Sequence, residues 1–408
     1  MCDVVVAGAG PAGAVAARSL AMAGFKVQLV DKSAFPRNKP CGGGVSARAF
    51  VRFPWLTAAT QHIDVHPVSK MHLESPDGGV LEMNSTSPSV LLIRRVEFDH
   101  ALVTEAERAG AELIERFEVT QAHADADGVT LRSRDGRELR ASVVIAADGV
   151  HSVIAKRLGV NPKWPRQSIA LDMMEETPTD TLRPARPDVL WVSYGYKGLD
   201  GYSYIFPKTH HVNVGIGCLL SHYREDVDAH PYEMQSQFVA DLVAKGALQG
   251  QSDRKHFTPF LIPVGGPLKR ASDVTGRVLF AGDAGGFVNA FTAEGIHYAM
   301  VSGEHAARAV IDSGAPQAIA RRYDTLWRHE IGAELRDAVI IQRFLFSDRN
   351  RVSRVVRAGR RLPWLADLIV DYAAGRMTYR EAKRRVLAAS PKTAAKLAWM
   401  MVQKQLAG

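Results

Sequence analysis

Cys41 is followed by three glycines, Gly42, Gly43 and Gly44, and then by Val45 and Ser46. A thiol inside a run without side chains can be bent, together with bare backbone, against a neighbouring ligand. Its chemistry then depends on its exposure and its proton. Tyr202, Tyr204 and Phe206 recur at every second position. At a strand's period of two they share one face, which could line a tunnel for an apolar chain or pack as an ordinary aromatic sheet face. Lys208 closes that run after Pro207 and could offer a cation to a phosphate head group, or be a plain surface lysine. The chain has 3 cysteines, Cys2, Cys41 and Cys218. That number gives neither a disulfide framework nor a metal-binding spacing, so no metal is expected and a reducing cytoplasm fits.

The elements that must position these groups begin at the amino terminus. Residues 3–8 form a continuous apolar run, as buried parallel strands do. Gly8-Ala9-Gly10-Pro11-Ala12-Gly13 follows and fits the dinucleotide fingerprint. Gly8 permits a tight turn, Gly10 lets backbone reach a pyrophosphate, and Gly13 lets a helix pack on the strand. The spacing predicts that helix over 14–23, its amino-terminal amides aimed at the phosphate, with Gly24 as its end. A second strand over 25–30 delivers Asp31, with Lys32 beside it, where an acid binds ribose hydroxyls. Two later apolar strands end in Asp148-Gly149 and in Gly282-Asp283. A carboxylate at a strand end can accept hydrogen bonds from ribityl hydroxyls, and a helix after Asp283 would turn its positive end to the flavin N1/O2 edge. This pattern points to FAD rather than to NAD alone.

These three motifs, in this order, resemble the flavoproteins of the p-hydroxybenzoate hydroxylase fold over nearly the whole chain. That resemblance implies that Arg95 sits beside FAD. Within the class, residues 39–46 resemble the geranylgeranyl reductase family, as do 202–208 and 285–296. The family places its Cys-Gly-Gly-Gly turn beside the flavin. It often has Pro and Gly where this chain has Ala290 and Ala293, and Trp where this chain has Tyr204. The resemblance implies an FAD-dependent oxidoreductase that saturates C=C bonds of a geranylgeranyl or polyprenyl chain by hydride transfer from flavin N5. Cys41, Tyr204 and Tyr202 are then the catalytic candidates. Cofactor contacts fall to Gly8, Gly10, Pro11, Ala12, Gly13, Asp31, Lys32, Cys41, Gly42, Gly43, Arg95, Asp148, Gly149, Gly282, Asp283, Gly295 and Ile296. Gly44, Val45, Phe206, Lys208 and Phe291 are substrate contacts. The external reductant would be NADPH or NADH docking transiently, or a small redox partner such as ferredoxin. The alternatives are an aromatic monooxygenase of the same fold, a flavin halogenase, or a non-catalytic flavin-binding lipid carrier. The first does not need the Cys41 turn, and the second carries two tryptophans that residues 202–207 lack.

The whole chain, 408 residues with 46% hydrophobic and 23% charged side chains, can bury a large core and exceeds one typical domain. The reading is α/β (α+β overall): a discontinuous Rossmann-like FAD-binding domain over 1–60, 92–165 and 268–330, an antiparallel-sheet substrate domain over 61–91 and 166–267, and a helical basic region over 331–408. Strands are expected at 71–74 and 80–83 as a hairpin, and at 168–174, 189–193, 202–206 and 212–218. Helices are expected at 98–109 and 235–245. Residues 178–187 and 223–228 read as loops, the former at a tunnel mouth or simply on the surface. No secretory signal or apolar run long enough for a membrane span is recognised, so the location expected is cytoplasmic. Residues 349–408 hold 14 Lys and Arg against 3 Asp and Glu. That segment carries +11 of a whole-chain +8, leaving −3 for the rest. Basic residues interleaved with Trp364, Leu365, Leu368, Ile369, Leu397 and Trp399 suit peripheral contact with an anionic membrane face, or a solvated helical cap. Nucleic acid is not expected, because no recognition motif accompanies the charge.

Overall fold

The computed structural model describes residues 2–227 and 229–389. The fingerprint strand Cys2–Ala7 lies between Val27–Val30 and Glu138–Ala146, parallel to both. Glu112–Ile114 and Val278–Phe280 extend the parallel part of this sheet. Val119–Ala124 and Val129–Ser133 add an antiparallel edge. The sequence reading omits these last two strands because their alternation is polar and half-exposed, as an edge strand's is. Helix Pro11–Met22 follows the first strand and packs against Arg95–Arg108 and Ile296–Asp312. The latter contact is backbone-close: a Cβ on Gly303 would lie 2.1 Å from the Ala12 carbonyl oxygen.

A second sheet runs Phe257–Pro263, Ile169–Pro178, His211–Leu219, Gly201–Pro207, Val189–Tyr194, Lys70–Glu74, Val80–Asn84. The expected hairpin and the four expected strands are all here. The sheet is mixed rather than antiparallel, because Lys70–Glu74 joins Val189–Tyr194 in parallel. Phe257–Pro263 was not anticipated. It carries Pro259 and Pro263, and it sits on the edge, where proline is tolerated. One face of the sheet is covered by helix Pro231–Ala244 through Met234, Phe238 and Leu242. The opposite face presents Tyr204 with Leu190, Val192, Met71 and Met83. Segment 61–91 divides between sheets. Val65–Val68 pairs with Val90–Ile93, which pairs with Gly44–Ser46, in a separate three-stranded sheet.

Parts of two expected loops are ordered elements. Leu182–Pro184 pairs with Leu248–Gly250 and buries Leu182 in the cluster under Phe238. No residue of 178–187 lines the main cavity described below, so this stretch is no gate to it. Residues 223–226 belong to helix Leu220–Asp226, stabilised by the burial of Tyr223, whose hydroxyl donates to the Ala229 carbonyl. Tertiary burial overrides local turn propensity in both cases.

The described carboxy-terminal part, up to residue 389, is mostly helical, as expected. Helix Arg349–Arg361 buries Val352, Val356 and Gly359 on one side. It docks on the hairpin through Gly359 against Leu81 and Arg357 to Asp77 at 2.8 Å. Pro363 opens the next helix, Pro363–Ala373, and Tyr379–Ala389 follows. The basic and apolar residues expected at Lys392, Lys396, Leu397, Trp399 and Lys404 lie outside the described residues. Among the described residues no helix is long and apolar enough to cross a membrane.

Candidate active site

The fingerprint turn accepts only glycine at its two ends. Gly8 has φ +100, and a Cβ there would lie 2.3 Å from the Ala147 carbonyl oxygen. A Cβ on Gly13 would lie 1.8 Å from the Gly8 oxygen. Over Gly10 the space is open: the nearest atoms to its Cβ position are Arg37 Nη2 at 3.8 Å and Arg95 Nη2 at 3.9 Å. An open backbone at a helix start, flanked by two guanidinium groups, suits a pyrophosphate. Asp31 closes the turn from the neighbouring strand by accepting from the Ala9 and Ser33 amides, each at 2.9 Å. Arg95 is buried and donates twice to Asp99, at 2.6 and 2.7 Å. Burial opposes its charge, but the Asp99 carboxylate and then Cys41 outweigh that and raise its pKa. Arg95 is therefore not a solvated helix-start arginine.

Next to this turn lies a cavity of about 950 Å³. Pro11, Cys41, Gly42, Gly43, Gly44, Arg95, Asp283, Gly295 and Ile296 line one end, and helices Pro363–Ala373 and Tyr379–Ala389 line the other through Leu368, Ile369, Val386 and Leu387. Tyr202, Tyr204 and Phe206 form a wall between the two ends, with Tyr204 and Phe206 centroids 4.4 Å apart. The glycine turn lies flat on this wall. Cβ positions on Gly42 and Gly44 fall 3.0 and 3.3 Å from the Phe206 ring. Cys41 is half-buried; its sulfur accepts from the Gly43 amide at 3.4 Å, and its carbonyl accepts from Asn213 Nδ2 at 3.2 Å. Tyr202 donates to the Thr292 carbonyl at 2.6 Å, and Tyr204 donates to Asp172 Oδ2 at 3.1 Å. Phe291 lines the cavity and stacks on Tyr194.

Several expected contacts lie elsewhere. Val45 faces the core beneath the turn. Lys208 is buried, paired with Glu176, and sits above Gly43 outside the cavity lining, so it offers no cation to a head group. Lys32 is exposed. Gly8, Gly10, Ala12, Gly13, Asp31, Asp148, Gly149 and Gly282 surround the turn without lining the cavity. Asp148 Oδ2 accepts from the Ile154 amide at 3.2 Å, while its Oδ1 is buried without a partner, and burial raises its pKa. That free acceptor is what a bound hydroxyl would satisfy. The helix expected directly after Asp283 is a single turn, Gly282–Gly285; the long helix starts at Ile296, whose first residue reaches the cavity.

Sequence reasoning missed a polar cluster on the cavity's flank. Arg48 meets Glu294 at 3.3 Å, Glu334 at 3.2 Å and the Tyr298 hydroxyl at 2.6 Å, with Tyr372 alongside. Asp337 holds Lys383 and Tyr379. These residues come from five helices and one loop, and no local spacing announces them.

The chain matches the FAD binding domain family over residues 1–326. It is 30% identical to the digeranylgeranylglycerophospholipid reductase of Methanocella arvoryzae, over 82% of this chain and 84% of that protein. It is 30% identical to the menaquinone reductase of Mycobacterium tuberculosis, over 79% and 80%. A solved geranylgeranyl bacteriochlorophyll reductase-like protein from Thermoplasma acidophilum superposes with a TM-score of 0.79 at 20% identity, covering 98% and 99% of the two chains. The glycine-locked fingerprint, the thiol turn laid on an aromatic wall and these likenesses agree: the chain is an FAD-dependent oxidoreductase of the geranylgeranyl reductase family.

Proposed function

We propose that the enzyme saturates C=C bonds in the isoprenoid chain of a lipid. The observation that carries this reading is the continuity of the cavity. One apolar space of about 950 Å³ joins the glycine turn to the carboxy-terminal helices. An extended prenyl chain needs such a slot, open to a flat redox group at one end and free of water along its length. The two curated relatives are named for a digeranylgeranyl lipid and for menaquinone. Their common feature is a prenyl chain, and their head groups differ.

FAD, once reduced, supplies the hydride. Gly8, Gly10, Pro11, Ala12 and Gly13 would hold its pyrophosphate with Arg37 and Arg95, Asp31 its ribose, and Asp283, Gly295 and Ile296 its flavin end. The protein's own work is positional. Gly42, Gly43 and Gly44 keep the turn thin enough for the chain to approach, and Phe206 backs that turn. Tyr202 is pinned by Thr292, which fixes the wall against loop 289–294. Cys41 Sγ and the Tyr204 and Tyr202 hydroxyls are the candidate proton donors at this end of the slot. NADPH, NADH or an acidic redox protein such as ferredoxin would recharge the flavin, the last drawn by the basic surface.

Contact with a membrane surface is part of the same proposal. Val355, Trp364 and Ile369 on helices Arg349–Arg361 and Pro363–Ala373, and Leu362 between them, are exposed apolar residues among exposed arginines. Ile369 also lines the cavity. A lipid chain could pass there from a bilayer into the slot.

The test is anaerobic. Bound FAD is reduced with dithionite, and geranylgeranyl diphosphate or a menaquinone with an unsaturated tail is added. Flavin reoxidation with hydrogen gained by the prenyl chain is expected. A prenyl chain that gains no hydrogen with either substrate, whatever the quinone ring does to the flavin, would overturn the reading; flavin that stays reduced with geranylgeranyl diphosphate until oxygen enters would favour the monooxygenase.

A further inference from the structure

Asp172 sits mid-strand in Ile169–Pro178, 5% exposed, with Gly217 and Phe260 as its cross-strand neighbours. It lines the main cavity and also a small adjoining one. Its Oδ2 accepts from Tyr204 at 3.1 Å, and its Oδ1 is buried without a partner. Gly215 makes room for this pairing, since a Cβ there would lie 2.4 Å from the Tyr204 ring and hydroxyl. An ionised carboxylate with one hydrogen bond and no cation is costly in such a place, whereas a protonated carboxyl is not.

We infer that Asp172 and Tyr204 form a proton relay that completes the alkene reduction, an inference that rests on the function proposed above. With its proton on, Asp172 donates to Tyr204 Oη and turns the phenolic hydrogen into the cavity. With its proton off, it accepts that hydrogen and withdraws it. In the reaction the Tyr204 O–H bond breaks as a C–H bond forms at one alkene carbon, the other carbon taking the hydride. The phenolate oxygen then takes the Asp172 proton, and water reprotonates Asp172. One hydride and one proton are consumed per double bond. The chain's departure from its family fits this role. Tryptophan, usual at the position of Tyr204, has an N–H donor and no acceptor, so it cannot pass a proton on.

The groups around the pair allow it. Tyr202 and Tyr204 face Asp172 from Gly201–Pro207, and Cys218 faces it from His211–Leu219; burial is the first cause holding all three neutral. Cys41 faces both tyrosines from the glycine turn. Asp200 and Gln342 border the adjoining cavity. Burial pushes Asp172 up to about 7, against the lowering effect of the Tyr204 hydrogen bond.

The test uses the full-length FAD-loaded protein. Infrared difference spectra across neutral pH should show protonated-carboxyl absorption in wild type that is lost as pH rises through about 7; Asp172→Asn should lose the Asp172 part and keep that of Glu175, which burial also pushes up to about 7. Tyr204→Phe should move the Asp172 titration upward, because it removes the bond that favours the carboxylate. In single-turnover reduction of geranylgeranyl diphosphate, the wild-type rate should fall about tenfold per pH unit above that point. Asp172→Asn should lose the break and about 10²-fold in rate, with FAD content unchanged. Tyr204→Trp, which restores the family residue, should also lose the break. An Asp172 band that does not titrate near neutrality, or identical pH profiles in wild type and Asp172→Asn, overturns the relay. If wild type reduces no prenyl substrate while the band titrates and shifts in Tyr204→Phe, the proposed function fails and the Asp172–Tyr204 coupling stands. If Asp172→Asn does not fold, Tyr204→Phe decides by the same band.

Discussion

Replacing Gly43 by alanine should uncouple FAD binding from reduction. Gly43 has φ +76, and an added Cβ would lie 2.1 Å from the Ile93 carbonyl oxygen. Ile93 cannot retreat, because its amide donates to the Gly43 carbonyl at 2.9 Å and its strand is the middle one of three. Left-handed backbone costs an alanine about 1–2 kcal/mol, and an overpacked methyl about 1–3 kcal/mol more. The turn escapes by sliding about 1 Å to restore van der Waals distance, which carries Cys41 with it. A shift of about 1 Å beside reacting atoms costs about 10²-fold in rate. Gly42→Ala is the control. Its Cβ meets the edge of the Phe206 ring at 3.0 Å, a side chain that can tilt, and its backbone is unstrained. The expected loss there is about 1 kcal/mol, with rate reduced less than tenfold. Both variants are compared for FAD stoichiometry, denaturant midpoint and anaerobic flavin reoxidation. Gly43→Ala that binds FAD and reduces substrate as fast as Gly42→Ala would refute the argument that this turn is held by its backbone.

Cys41→Ser keeps the turn's shape and should leave FAD bound while changing the rate or extent of reduction; unchanged products and rates would remove the thiol from the mechanism. Ala293 stands at φ +55, where its family often has glycine. Ala293→Gly should therefore stabilise the protein by about 0.5–1 kcal/mol, the strain relieved exceeding the unfolded-state entropy added, and a lower denaturant midpoint at unchanged m-value would contradict this. Sedimentation with anionic liposomes should exceed that with neutral ones and lose the difference at high salt; equal pelleting would end the membrane reading.

The nucleotide end was legible because its signal is local. Gly8, Gly13 and Asp31 do their work within one strand, turn and strand, so their spacing alone specifies the geometry. The aromatic wall was legible for a similar reason: alternation at 202, 204 and 206 is the period of a strand. What faces that wall was not. Asp172 is one acid in the strand expected over 168–174, and its partner comes from a different strand of the sheet. Its importance comes from what surrounds it, a largely apolar wall in which the Tyr204 hydroxyl donates the hydrogen bond it accepts. Lys208 shows the reverse error. Its type and place after a strand suggested a ligand for phosphate, but Glu176, far away in sequence, neutralises it.

The electrostatics of the cavity say more about the substrate than its volume does. The cations that line it among the described residues are Lys39, Arg48, Arg95 and Lys383. Each is matched: by Asp283, by Glu294 and Glu334, by Asp99, and by Asp337. Arg48 and Arg95 are buried, and breaking such a pair costs about 3–5 kcal/mol; Lys39 and Lys383 are 41% and 34% exposed, and their pairs hold far less. An anionic head group entering the slot would have to displace a carboxylate from its cation and strand that carboxylate in an apolar space. An uncharged chain pays nothing of the kind, and it can slide until any of its double bonds reaches the glycine turn. Under the proposed function, such a slot would select for the prenyl chain and be indifferent to what the chain carries, provided the charge stays outside. That is the property expected of a family whose curated members are named for a phospholipid and for a quinone.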